Sequence, residues 1–509
     1  METELWKCTA AELAAAIAGG TISAAEAMES HLARIAEVNS AVNAVTQTIA
    51  DVARRSADEI DRRRVAGRCL GPLAGVPFTV KENIAIGGVP TTHGLARFRD
   101  MRAETDAPPV ARLRAAGAIP IGHSNMPDLT VGGMHPRSEL FGQTSNPWHP
   151  GRTPGGSSGG DGAAVASGMA PLGLGNDSGG SIRIPAAFCG TTGLKPSYGR
   201  FPADHRIGPD DPTLASQLMP VDGPLARTVG DLRLAYEALA GTDPRDPRAV
   251  PAPLYGPMPD PLKVAVVADP GGQGIHPDVQ AAVAAAAGAL RDAGYDVAEI
   301  PDVPRLAETL AAYGHLIMTE FALAWSRIRA IVPESSRAYI EMSMAQTRPV
   351  DLTEYLRLTG LRLGLQRDWA YLFQRYHLVL GPVFTEPPVE PNLESSSTDG
   401  HKRVTRAMRL CTATSFVGLP AVAVSGGVFN GLPQGVQLIG PMYREDLSLT
   451  GAEAIERRIG VLTPVNPFQA ARDPQVPQAS STPPSGASAS GAPPRNGCTH
   501  GHADDSRGG

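Results

Sequence analysis

The stretch Thr153–Gly190, TPGGSSGGDGAAVASGMAPLGLGNDSGGSIRIPAAFCG, decides how the rest of the chain is read. It carries two glycine–serine clusters, short apolar segments between them, and no histidine. After Gly160, DGAAVASGMA reads as a helix and PLGLGN as a short strand. SIRIPAAFCG begins another helix, with Pro185 limiting its regularity. Ser181 then stands at a loop–helix junction. A serine hydroxyl is a weak nucleophile until a base takes its proton. If this stretch does chemistry, a group elsewhere in the chain must supply that base.

Four readings compete for it. A flexible Gly/Ser linker is the plainest, but linkers do not embed apolar helix and strand segments. A phosphate cradle needs Gly-Lys-Ser/Thr or a strand leading into Gly-x-Gly-x-x-Gly. No lysine lies between Lys81 and Lys195, and NPWHPGRTP makes a poor strand. An α/β-hydrolase elbow is formally matched by Gly155-Gly156-Ser157-Ser158-Gly159. It needs a strand directly before it, where Pro147, Pro150 and Pro154 stand. It also needs a histidine, and nothing singles out His205, His276, His315 or His377. The fourth reading is a serine hydrolase whose base is a lysine.

Lysine is scarce here: Lys7, Lys81, Lys195, Lys263 and Lys402 are the only ones among 45 basic residues. Arginine stays charged in proteins, whereas a buried lysine can become neutral and accept a proton. Lys81 ends an apolar strand in GVPFTVKENIA. Taken alone, such a residue is more simply an exposed or salt-bridged strand-end lysine. Cys189, in AAFCG, reads as a small buried side chain rather than a nucleophile.

The surrounding sequence bounds the fold. The chain has 509 residues, 42% hydrophobic and 19% charged, with net charge −6. That is the profile of a globular protein with no basic excess for nucleic acid or anionic membranes. There is no bilayer-length apolar run and no signal-peptide pattern at the N-terminus. Five cysteines without a Cys-x-x-Cys pair suit a reduced, cytoplasmic setting. Length alone suggests about three domains. Thr9-Ala-Ala-Glu12 and Ser23-Ala-Ala-Glu26 read as capping boxes opening Ala-rich helices. Helices are expected over Ala107–Ala116, from Pro277, and through much of Leu306–Gln346 and Leu352–Tyr376. Strands are expected at Ala118–Gly122, Leu262–Asp269, YDVAEI, HLVLGP, AVAVSG and GVQLIG. Such alternation argues for a layered α/β fold. Beyond Ala471, Pro, Ser, Gly and Ala dominate, and disorder is expected. In that tail Cys498, His500 and His502 make only a weak metal signal.

The signature GGSSGGDGAAVA followed by GLGNDSGGSIRIPA resembles that of the amidase signature family of serine hydrolases. GVPFTVKENIA is similar to the family's lysine segment. TSNPWHPGRTPGGSSGG, CGTTGLKPSYGR, VDGPLARTVGDL, GLPAVAVSGG and LPQGVQLIG fit as well, so the resemblance runs from Thr9 to about Gly460. It implies one large α/β domain over residues 1–470, a mixed central sheet covered by helices on both faces. Within it fall N-terminal helices (1–70), a catalytic core (71–240), and a variable substrate-side region with closing strands (241–470). Residues 471–509 form the disordered tail.

The same resemblance implies that Lys81 is the catalytic base, Ser157 the bridging serine after a cis peptide, and Ser181 the nucleophile. The backbone N–H groups of Ser178, Gly179, Gly180 and Ser181 would form the oxyanion hole. Ser158, Asp177 and Arg183 are expected to tie the loop together, direct substrate contact by Asp177 and Arg183 being the competing reading. The implied activity is hydrolysis of a small carboxylic amide without metal or cofactor, with esters or carbamates open to the same chemistry. The alternative is the A subunit of a glutamine-dependent aminoacyl-tRNA amidotransferase, which Ala203–Pro224 and the tail fit poorly. Tyr313, Phe321 and Trp325 are candidates for the substrate pocket or simply for the core. A homodimer is compatible with the sequence, but no residue argues for it.

Overall fold

In the computed structural model, residues 4–208 and 210–468 are described; the expected tail, with Cys498, His500 and His502, lies outside them. Instead of three length-based domains, one eleven-stranded mixed sheet runs through the molecule. Its order is Val45–Thr48, Ile119–Ser124, Pro77–Lys81, Leu172–Asp177, Val221–Ala226, Thr192–Lys195, Ala421–Phe429, Leu432–Ile439, Leu378–Pro382, Lys263–Val266 and Asp296–Glu299. Pro77–Lys81 is parallel to both its neighbours, and the middle of the sheet is antiparallel. The central strands are buried on both faces, which is why they read as largely apolar runs without alternation.

Helices cover both faces. On Leu432–Ile439, a Cβ at Gly435 would come within 2.3 Å of the Ala187 Cβ, so helix Arg183–Cys189 lies on that side. Leu438 is an odd number of residues along and points the other way. It meets Gly451 of helix Glu445–Ile459. The hairpin between Ala421–Phe429 and Leu432–Ile439 turns on Asn430-Gly431, both at positive φ (50° and 78°), the pairing a two-residue turn prefers.

The expected elements are present with small shifts. Thr9 Oγ1 accepts from the Glu12 N–H (3.1 Å) and Glu12 accepts from the Thr9 N–H (2.8 Å); Ser23 and Glu26 do the same. These boxes open helices Ala10–Ala18 and Ala24–Val42. The region Leu306–Gln346 divides into Leu306–Arg329 and Glu334–Gln346, because Pro333 cannot continue the first helix and stands at the N-cap of the second. Helix Leu352–Phe373 follows.

Candidate active site

Lys81 is the last residue of strand Pro77–Lys81, and all five of its residues are buried. The side chain is fully enclosed. Its Nζ donates to Ser157 Oγ at 2.6 Å and to Asn176 Oδ1 at 2.5 Å. Neither acceptor is charged. Burial pushes the amine down from its ordinary value to about 7, against the opposing pull of Asp161, Asp222 and Asp177. Lys195, the other buried lysine, donates to the carbonyls of Pro196 (3.0 Å) and Leu419 (2.7 Å). Carbonyls cannot pass a proton on, so its role is to tie strand Thr192–Lys195 to the turn before Ala421.

Ser157 lies in the tight loop before helix Gly159–Ala166, and the Gly156–Ser157 peptide is cis. Gly156 has no room for a side chain: a Cβ there would sit 2.0 Å from the Met134 carbonyl oxygen. The neighbouring Ser158 turns away from the lysine. Its hydroxyl donates to the Asn176 carbonyl (3.2 Å) and accepts from the Asn176 N–H (3.3 Å). Its own N–H donates to the Ser181 carbonyl at 3.1 Å, which ties the two serine clusters together.

Ser181 occupies the turn between strand Leu172–Asp177 and helix Arg183–Cys189. From residue 153 to residue 190 every position is buried except Ser178 and Ser181, which are half-buried. Beneath this turn Asp177 and Arg183 form a fully buried ion pair, Arg183 Nε to Asp177 Oδ2 at 2.9 Å and Nη2 to Oδ1 at 3.0 Å. Burial pushes the Asp177 carboxyl up, but the Arg183 guanidinium outweighs it and holds the carboxyl well below the usual range. Arg183 also donates to Gln437 Oε1 (2.9 Å), the Cys411 carbonyl (2.9 Å), Ser415 Oγ (2.8 Å) and Thr414 Oγ1.

Of the four N–H groups expected to face an oxyanion, that of Gly180 is engaged within the protein. The Gly180 N–H donates to Asp177 Oδ1 at 2.7 Å, because that buried carboxylate gathers the donors of the turn around it, the Ile182 N–H among them (3.1 Å). The N–H groups of Ser178, Gly179 and Ser181 have no protein acceptor among the described residues.

Two residues at the lysine escaped the sequence reading. Asn176 accepts from Lys81, and its Nδ2 donates to Asn83 Oδ1 at 3.1 Å. They stand inside the motifs GLGNDSGG and KENIA, so adjacency to Lys81 and Asp177 was the available signal. Tyr313, from helix Leu306–Arg329, brings its hydroxyl against Ser178 and to 2.8 Å from where a Gly179 Cβ would be. Met408 Cε approaches the same point at 3.6 Å. Phe321 and Trp325 lie about 12 and 18 Å further along that helix, only half-buried. Among the described residues, the four candidate histidines are engaged elsewhere: His205 pairs with Asp222, His276 caps a helix, His315 meets the Arg348 carbonyl and His377 accepts from Lys263 N–H. Burial pushes the Cys189 thiol far up, which leaves it protonated.

Comparison with known proteins fixes the class. The Amidase family model matches residues 26–449. An indoleacetamide hydrolase of Bradyrhizobium diazoefficiens is 39% identical over 465 residues, covering 90% of this chain and 88% of the relative. The A subunit of a glutamyl-tRNA(Gln) amidotransferase from Salinispora arenicola is 34% identical over 91% of this chain and 99% of its own. The crystal structure of a bacterial aryl acylamidase of the amidase signature enzymes superposes with TM-score 0.77 at 26% identity, over 88% of this chain and 96% of that one. The protein is therefore a hydrolase acting on amide C–N bonds. It belongs to the amidase signature family. Among the described residues, no helix is long and apolar enough to cross a membrane.

Proposed function

We propose that the protein hydrolyses a small aryl- or indole-bearing carboxylic amide through a Lys81–Ser157–Ser181 relay. The observation that carries this is the 2.6 Å hydrogen bond between a fully buried lysine and Ser157. Neutral Lys81 takes the Ser157 proton while Ser157 takes that of Ser181; a hydroxyl both donates and accepts, so it can pass the proton along. Ser181 Oγ attacks the amide carbonyl. The N–H groups of Ser178, Gly179 and Ser181 face the resulting oxyanion, where the loss of one such donor costs about 2.7–4 kcal/mol of barrier. The proton returns through Ser157 to the leaving nitrogen, ammonia or amine departs, and water hydrolyses the acyl-enzyme. Ser158, Asp177 and Arg183 hold the loop rather than touch substrate.

The substrate class rests on the indoleacetamide hydrolase relative together with Tyr313 and Met408 beside Gly179. Cys8, Cys189 and Cys411, buried or half-buried and in no disulfide, support a cytoplasmic setting. Leu352, Leu356 and Leu363, exposed along one face of helix Leu352–Phe373, support a homodimer, to be tested by light scattering. The deciding experiment is turnover of indoleacetamide, an aryl acylamide, an aliphatic amide and glutamine by native protein and Lys81→Ala. Native hydrolysis of the aromatic amides that Lys81→Ala loses is the expected result; full activity of Lys81→Ala removes the relay. The 34% identity to the amidotransferase relative favours one other reading. Glutaminase activity that appears only with a co-purifying tRNA-binding partner would replace the proposal with it.

A further inference from the structure

The relay leaves one buried acid without a role. Asp161 lies in the first turn of helix Gly159–Ala166 and is fully enclosed. Its Oδ1 accepts from Thr79 Oγ1 at 2.7 Å. The buried Ser124 hydroxyl stands beside the same carboxylate and, like Thr79, favours its charged form. Thr79 precedes Lys81 by two residues on one strand, so both side chains leave the same face of the sheet, about 7 Å apart at their roots. Ser124 is the register partner of Lys81 on the adjacent strand. On the other side, Gly173 makes room: a Cβ there would fall 2.9 Å from the Asp161 Cβ. The fold thus builds a small chamber beside the lysine, floored by a glycine and walled by two hydroxyls, with a carboxylate inside it.

Three carboxylates act on Lys81: Asp161, Asp222 and Asp177. Asp177 is paired with Arg183 at 2.9 Å, and Asp222, on strand Val221–Ala226, is paired with His205 at 3.0 Å. Arg183 offsets the field of Asp177, and His205, whose pKa Asp222 raises, engages Asp222 directly. Asp161 meets only neutral donors, the hydroxyls of Thr79 and Ser124 among them, and the cation that acts on it is Lys81 itself. The other titratable groups beside the lysine strand are engaged elsewhere. Glu82 accepts from the hydroxyls of Thr46 (2.8 Å) and Thr92 (2.7 Å), and His123 Nδ1 meets the Val80 carbonyl at 3.1 Å. Asn176, the direct neighbour of Nζ, is neutral.

We propose that Asp161 is a positioning residue of the amidase reaction, its unpaired carboxylate holding a proton on Lys81 and so setting the pH at which that lysine becomes the base. The proposal rests on Lys81 acting as the base. Burial pushes Asp161 up to about 6, so carboxyl and amine release their protons in neighbouring pH ranges and titrate as a pair. Above both ranges the amine is free and the carboxylate charged. Between them the ammonium is held by the carboxylate, and the relay is idle.

The test is the pH dependence of kcat/KM for indoleacetamide in native protein and Asp161→Asn, which keeps the side-chain oxygen facing Thr79 and removes the charge. Without the carboxylate the ammonium loses its support, so the acid limb should move about one unit toward lower pH. Thr79→Val is the second variant, nearly isosteric and safe if Asp161→Asn does not fold. It strips the hydrogen bond that favours the charged carboxylate, and should move the limb the same way by less. An acid limb that stays in place in either folded variant, whatever happens to the plateau, overturns the proposal. Failure of the underlying relay is read separately, as undiminished turnover by Lys81→Ala.

Discussion

The serine loops and the helices that follow them are built on opposite terms. Between residues 153 and 190 only Ser178 and Ser181 reach even partial exposure. In helix Leu306–Arg329, by contrast, only Leu306, Thr309, Ala312, Leu316 and Glu320 are buried, and Leu323 is 77% exposed. The first region fixes polar atoms to within hydrogen-bond tolerance, which requires that every neighbour be packed. The second offers one buried stripe to the fold and leaves the rest free to vary. The proposed relay lies wholly in the first region, and the second reaches it through one side chain. Tyr313 is where the two meet.

Substitutions on the two sides should therefore differ in size and in kind. Ser181→Ala should abolish turnover, a loss of about 10⁴-fold or more, together with labelling by a fluorophosphonate. Lys81→Ala should cost about 10³-fold. In the native protein, kcat/KM should climb as pH rises through about 7 and level off above it, because the ammonium cannot accept a proton until it loses its own. A profile flat from pH 5 to 9 contradicts a lysine base. Asn176→Asp places a carboxylate on Nζ. Opposite charge favours the ammonium, so activity at pH 7 should fall by about ten- to a hundredfold and return at pH 9. The smallest effect belongs to the helices: Tyr313→Phe should raise KM for aromatic amides by about fivefold while kcat holds. A large fall in kcat instead would move Tyr313 across the boundary into the rigid half.

Most of the fold can be read from the sequence where local chemistry decides it. The capping residues Thr9, Glu12, Ser23 and Glu26 mark two helix starts, and buried strands such as Leu378–Pro382 stand out as apolar runs. Lys81 is conspicuous because it is a lysine in an arginine-rich chain. The contacts of Asn176 and Asn83 are different. They are neutral amides whose partners come from distant segments, and nothing in local spacing distinguishes them from turn residues. The engagement of the Gly180 N–H is equally tertiary, since it depends on Asp177 being held beneath the turn by Arg183. The break between Arg329 and Glu334 was visible in principle, because Pro333 stands at the start of the second helix.

The bonds of Arg183 to Thr414, Ser415 and Gln437 carry a further consequence for genetics. A nonsense allele ending near codon 400 would still encode every residue of the relay. Its product would nonetheless keep a guanidinium stripped of four of its six acceptor atoms and strand Thr192–Lys195 stripped of its outer neighbour. Such truncations should behave as complete nulls, and split-gene complementation should succeed only when the two pieces are made together and close the sheet as they fold.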